Sequence, residues 1–280
     1  MKKTLAFVLG GGGSRGALQV GSLYALLESR VQPDLLIGTS IGAVNAAFLA
    51  LHGFSRESLD SLKQTWQQAA LMDLLPSNYV QSTLRAMLGR SSINPAQRIQ
   101  DFFVGHGFTA ELRFSDLQTI RLVIVSSDLT TGQPVLHGDQ PDEKVLEALL
   151  MSTALPPWNM PVKKQSRYLM DGGVLSNLPI EPALRMGATH IVALDLLDAR
   201  EVFRETNKFG YFLDRLTYAV QKRQLDLELG LAKAQGVPVM YLDLVGKDAV
   251  ALWDFHRTEE LIERGYEITQ LAIAKGQIAI

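Results

Sequence analysis

The short apolar run over residues 5–9 ends in four consecutive glycines, Gly10 to Gly13, and a helical pattern starts close behind it near Ala17. This feature constrains the chain more than any other. A strand that is apolar at every position has both faces buried, which is the habit of a parallel sheet rather than of a half-exposed hairpin. The arrangement then repeats: residues 35–37 form a second apolar run, Gly38 closes it, and another helix begins near Ile41. Two strand–turn–helix units in succession predict an α/β fold, a three-layer α/β/α domain around a mostly parallel central sheet. Residues 120–125, 167–170, 190–194 and 237–242 supply further strand-like runs.

Residues 54–117 break the rhythm. A helical pattern over 56–70 and a helix opened by Asn94, with Pro95 in its first turn, are separated by Pro76, Ser77, Asn78 and Gly89. This segment reads as an inserted helical cap. The tail offers a helical stretch over 205–233 and a last helix over 259–275. The economical division is a core over 5–195 and a C-terminal extension over 196–280 packed on the same domain.

Composition excludes several classes of function. Lys plus Arg total 27 against 29 Asp plus Glu, a net charge of −2 with no dense basic run, so nucleic acid is not the expected partner. With zero cysteines there is no disulfide, no thiolate metal site and no cysteine nucleophile. The apolar stretch behind Met1-Lys2-Lys3 is too short for a signal peptide and runs into the glycines and Arg15. The longest nearly apolar run, 41–51, contains Asn45 and falls far short of the roughly 20 residues of a membrane span. The expectation is a cytoplasmic protein, peripheral at a membrane at most.

Three motifs carry the chemistry. Gly11-Gly12-Gly13-Ser14-Arg15-Gly16 is a G-x-G-x-x-G match between strand and helix, where backbone N–H groups can turn toward an anion. A dinucleotide site would want an acidic residue at the end of the second strand, but Asp34 precedes that strand and Thr39 and Ser40 follow it. A phosphate-binding loop fails as well, because Ala17 stands where its lysine would be. The second motif, Gly38-Thr39-Ser40-Ile41-Gly42, is a G-x-S-x-G pentapeptide, the pattern of a serine on a sharp strand-to-helix turn. The third is Asp171-Gly172-Gly173, after the run at 167–170. Of the five histidines only His256 lies where a late triad histidine would fall, giving Ser40, Asp171 or Asp195, and His256 as one reading. A Ser40–Asp171 dyad is the preferred one.

In this order the three motifs resemble the patatin-like phospholipase family in its bacterial form. Ser152 to Pro157, Asp128 to Gly132 and the stretch from Gly173 through Asn177 to Pro179 agree with it, and the likeness covers roughly 5–195. The resemblance implies a patatin-like fold and a serine hydrolase that cleaves acyl esters of phospholipids, lysophospholipids or related lipids through an acyl-enzyme. It implies Ser40 as nucleophile, Asp171 as proton acceptor, and the N–H groups of Gly11, Gly12 and Gly13 as oxyanion hole, helped by Ile41. Arg15 would fix the glycine loop or meet a lipid phosphate, while Gly16, Gly38, Gly42, Gly172 and Gly173 support the motifs. No metal or other cofactor is implied. Ile41 is bulkier than the residue usual after the nucleophile, and Pro156-Pro157-Trp158 replaces a stretch usually richer in Gly and Phe. A binding or regulatory protein that keeps the fold without catalysis is the alternative.

Two segments bear on lipid contact. Phe209, Tyr211, Phe212 and Leu213 lie among Lys208, Arg215, Tyr218, Lys222 and Arg223. At helical spacing such a stripe reads first as core and second as an interfacial face. Met72 to Leu75 with Tyr79 is a candidate lid.

Overall fold

The computed structural model describes residues 3–72, 95–155, 159–200 and 209–276. Among the described residues eight strands form one sheet: β1 (Leu5–Leu9), β2 (Leu35–Thr39), β3 (Arg121–Asp128), β4 (Gln133–His137), β5 (Val162–Lys164), β6 (Arg167–Asp171), β7 (His190–Asp195) and β8 (Val239–Asp243). The described helices are α1 (Gly16–Glu28), α2 (Ile41–His52), α3 (Arg56–Met72), α4 (Pro95–Gly105), α5 (Val145–Ser152), α6 (Ile180–Arg185), α7 (Phe209–Ala234) and α8 (Thr258–Ala274).

The strand order is β5-β6-β3-β2-β1-β7-β8, with β4 also on β3. Strands β3, β2, β1, β7 and β8 run parallel; β4 and β6 pair antiparallel with β3, and β5 antiparallel with β6. The mostly parallel sheet predicted from sequence is therefore present. Alternate residues of β1 show why it is covered on both faces. Phe7 and Leu9 pack with α1, α2 and α8, whereas Ala6 and Val8 pack with Ile180 and Ala183 of α6 and Leu225 and Ala232 of α7. These are the two helical layers.

The sheet differs from the sequence reading at one edge. Strand β5 had not been expected, whereas β4 is the short strand-like run that ends at His137, and β3 runs past Val125 through Ser126, Ser127 and Asp128, all buried. Their polar side chains hide them from a search for apolar runs. They are tolerated because each is bonded: Ser126 meets His137, Ser127 donates to the Gly172 carbonyl, and Asp128 accepts from Arg167 at 2.7 Å. The aromatic-basic stripe is likewise not core where its aromatic side chains are described, since Phe212 is exposed and Tyr218 only half-buried. Asn94, residues 73–79 with the candidate lid, residues 205–208 and Pro156-Pro157-Trp158 lie outside the described residues.

Helix α8, from the C-terminal extension, packs backbone to backbone on α1. A Cβ on Gly265 would stand 1.9 Å from the Leu18 carbonyl oxygen, and one on Gly21 would stand 1.8 Å from that of Ile262. Ser22 then hydrogen-bonds the Gly265 carbonyl, and Thr269 donates to Ser22 at 2.8 Å. Such proximity is open only to glycine. We expect Gly265→Val to force the helices apart and cost about 3 kcal/mol or more, measured by urea denaturation.

Candidate active site

The pairing register of β3 builds the site. Thr39, the last residue of β2, pairs with Val125, while Asp171, the last residue of β6, pairs with Ser126. Strand β4 pairs with β3 over Ile124 to Asp128, so it fills the other edge. Strands β2 and β6 thus share one edge of β3, point toward each other and end at adjacent positions. The residue that leaves β2 is Ser40, and its Oγ donates to Asp171 Oδ2 at 2.6 Å.

Ser40 sits at φ 54° and ψ −125°, left-handed geometry that a non-glycine residue adopts at a cost of about 1–3 kcal/mol. Its neighbours explain how the turn persists. A Cβ on Gly38 would meet the Gly42 carbonyl oxygen at 2.4 Å, and one on Gly42 would meet that of Leu9 at 2.2 Å. The two glycines of the pentapeptide are therefore steric requirements of the chain reversal. The Ser40 N–H donates to Ser152 Oγ at 2.9 Å, and the Ser152 hydroxyl in turn donates to the Val125 carbonyl at 2.6 Å. Helix α2 begins at Ile41, so its positive end faces the serine.

Asp171 is buried, and its second oxygen accepts the Gly173 N–H at 2.8 Å. Burial lifts its pKa to about 6, against the opposing pull of the hydrogen bonds from Ser40 and Gly173. Gly172 is held close to β3, where a Cβ would lie 2.4 Å from the Val125 carbonyl oxygen.

The glycine turn lies across from this pair. The Gly11 N–H is committed to the Asn177 carbonyl at 3.0 Å, which takes it out of the expected trio of oxyanion donors. Among the described residues no group accepts from the N–H of Gly12, Gly13 or Ile41. Gly13 adopts φ +56°, and a Cβ there would stand 2.2 Å from the Leu252 carbonyl oxygen. Arg15 is buried, and its Nε reaches the Gly12 carbonyl at 3.3 Å, which favours the loop-fixing role over an exposed phosphate contact. Beneath the turn, Gln19 donates to the carbonyls of Gly10 and Leu194, Asn45 donates to Gln19 and to the Gly16 carbonyl, and Trp66 donates to Asn45.

Gly11, Gly12, Gly13, Arg15, Ser40, Ile41, Asp171 and Gly173 all line one cavity of about 480 Å³. Gly16, Gly38, Gly42 and Gly172 lie behind its surface. The walls are largely apolar: Val44 and Phe48 from α2, Trp66 from α3, Phe102 from α4, Val220 from α7, and Phe255 ahead of α8. That volume falls in the range of small-molecule sites. Segments read from sequence as cap and extension thus supply much of its wall, and Trp66 and Phe255 meet at 5.8 Å between ring centroids.

The triad reading is not assembled. His256 is exposed, and its backbone N–H bonds to Asp254. Asp195 is buried against the Tyr241 hydroxyl at 2.7 Å, with burial raising its pKa. A Ser–His–carboxylate array does exist in Ser126, His137 and Glu143, at 2.8 and 3.2 Å, but Ser126 and His137 are sealed in the β3–β4 hairpin. His106 lines the cavity with its ring nitrogens on Phe102 and Gln68. Ser152, Asn177 and the Gln19–Asn45–Trp66 chain were not picked out as site residues. The available signal was the resemblance, since Ser152 and Asn177 lie in the stretches 152–157 and 173–179 that agree with the family.

The chain matches the model of the family described as patatin-like phospholipase over residues 7–184. It is 32% identical over 199 residues to mouse patatin-like phospholipase domain-containing protein 7, covering 69% of this chain but 13% of that protein. Thus the chain spans about one eighth of the animal relatives' length. An uncharacterized Bacillus subtilis protein, YqhO, is 27% identical over 287 residues, covering 94% of this chain and 96% of that one. Among solved structures, human GIVD cytosolic phospholipase A2, in complex with methyl gamma-linolenyl fluorophosphonate, shares the fold. Its TM-score is 0.54 at 12% identity, over 98% of this chain and 58% of that one. The fold, the motif order and the family match agree: the chain belongs to the patatin-like phospholipase family.

Proposed function

We propose that the protein is a serine hydrolase that cleaves acyl ester bonds of phospholipids, lysophospholipids or related lipids through a Ser40–Asp171 dyad. The observation that carries this reading is the 2.6 Å hydrogen bond from Ser40 Oγ to Asp171 Oδ2 at the wall of a largely apolar cavity. The family match and the name of the mouse relative, a patatin-like phospholipase domain-containing protein, support the lipid ester as substrate class.

Ser40 Oγ attacks the ester carbonyl carbon as its proton passes to Asp171. Negative charge then gathers on the carbonyl oxygen, where the N–H groups of Gly12, Gly13 and Ile41 would receive it at the start of α2. Collapse expels the alcohol, which takes the proton from Asp171 and leaves an acyl ester on Ser40. Water repeats the sequence in reverse roles and releases the fatty acid. Burial makes Asp171 suited to this task, because a carboxylate with pKa about 6 is ionised at neutral pH and still a stronger base than an exposed aspartate. The strained Ser40 backbone and the unused glycine N–H groups favour catalysis over a binding role, for which neither is needed.

A fluorophosphonate should add once to the wild type and not to Ser40→Ala, read by intact mass. Ser40→Ala should reduce ester hydrolysis to background, and Asp171→Asn should reduce kcat by about 100- to 10,000-fold. Wild-type turnover in Ser40→Ala would overturn the assignment.

Because the base must be ionised, kcat/KM should rise with pH through a midpoint about 6 and level off above it. Carbon-13 NMR should show Asp171 titrating higher in Ser40→Ala than in wild type, since the lost hydrogen bond favours the charged form. Ser152→Ala leaves the Ser40 N–H without its partner and should cut kcat by about tenfold or more with KM little changed, whereas Ser152→Thr should recover part of the loss.

A further inference from the structure

We infer that the outer face of α7 is a docking surface for an anionic phospholipid bilayer, set at the mouth of the proposed acyl cavity. Five large apolar side chains of this helix, Phe212, Leu216, Val220, Leu227 and Leu231, are 37% to 59% exposed. At about 100° per residue they fall within an arc of about 100° on the helix. The opposite face is already used: Leu225 and Ala232 pack into the core, and the buried Glu228 accepts from Ser176 Oγ and the Glu181 N–H.

Two observations commit this face to lipid. The first is continuity with the cavity. Leu216 and Val220 belong to the stripe and also line the cavity, as do Leu155 and Val174, which are exposed beside it. An acyl chain leaving a bilayer pressed against α7 would pass from hydrocarbon into the cavity without crossing water. The helix is fixed over the dyad for this purpose, with Gln221 donating to the Gly173 carbonyl and Gln224 to that of Val174 at 2.6 Å.

The second observation is charge. Arg223 is exposed within the arc of the stripe, and Arg215 and Lys222 are exposed along one flank, Lys222 paired with Asp226. An apolar stripe with basic residues on and beside it matches the hydrocarbon and phosphate levels of an anionic surface. The inference draws on the ester-hydrolase reading for the direction of transfer, while the surface itself is tested without turnover.

The test is flotation of the full chain with vesicles of phosphatidylcholine, alone or mixed equally with phosphatidylglycerol. Wild type and Ser40→Ala should float alike with the mixed vesicles. Leu227→Asp/Leu231→Asp, outside the cavity, should lower the floated fraction by about tenfold, with p-nitrophenyl butyrate hydrolysis and thermal midpoint unchanged. Arg223→Glu should lower binding to the mixed vesicles more than to phosphatidylcholine alone. If the double variant melts early, Leu227→Gln alone decides by the same flotation. Wild type that stays unbound, or a well-folded double variant that floats like wild type, would overturn the inference. So would light scattering that shows a wild-type dimer separated by the double variant, which would assign the face to a second copy. Loss of butyrate hydrolysis in Ser40→Ala reads the dyad independently, so the two conclusions fail separately.

Discussion

The site depends on two strands that end against each other on one edge of β3. Parallel β2 and antiparallel β6 occupy successive stretches of that edge and stop at the neighbouring pairs Thr39–Val125 and Asp171–Ser126. A strand end is where the chain can turn sharply, so both reactive side chains emerge at a junction whose distance is set by hydrogen-bond register. Side-chain flexibility has little to do with it. A register shift of one residue in β6 would turn Asp171 to the other face of the sheet.

That junction is costly, and its surroundings offset the cost. Ser40 holds left-handed geometry, Asp171 is an ionisable group out of water, and the glycine turn carries donors with no acceptor among the described residues. Each unfavourable feature has a specific restraint. Gly38 and Gly42 let α2 back onto β1, Ser152 ties the Ser40 N–H to Val125, and Gly173 shares the Asp171 carboxyl. The Gln19–Asn45–Trp66 chain links the glycine turn to the α3 wall, so turn and cavity form one bonded unit. Restraint of this kind lets a strained site persist within a stable domain.

The segments beyond the first strands are part of the same construction. Helix α8 is locked to α1 at Gly21 and Gly265, which brings Leu252 and Phe255 to the cavity and the Leu252 carbonyl to Ser14 at 2.7 Å. Helix α7 crosses the loop that follows Asp171. The cavity therefore joins residues from both ends of the chain.

The sequence by itself determined the parallel sheet, both strand–turn–helix units and the candidate pair, because buried strands are uniformly apolar and the reversals at 38–42 and 171–173 are marked by glycine at 38, 42, 172 and 173. Local chemistry was enough for those. It did not reveal the roles of Ser152 or Asn177, which are hydrogen bonds to residues far away in the chain, nor β5, whose mixed composition carries no apolar signal. It also favoured a core position for the aromatic stripe, since helical spacing states that a face exists without stating what it meets. Only the tertiary structure decided that Gly11 spends its N–H on Asn177, that His256 stays outside, and that Phe212 of that stripe is exposed, because each depends on how segments distant in sequence pack.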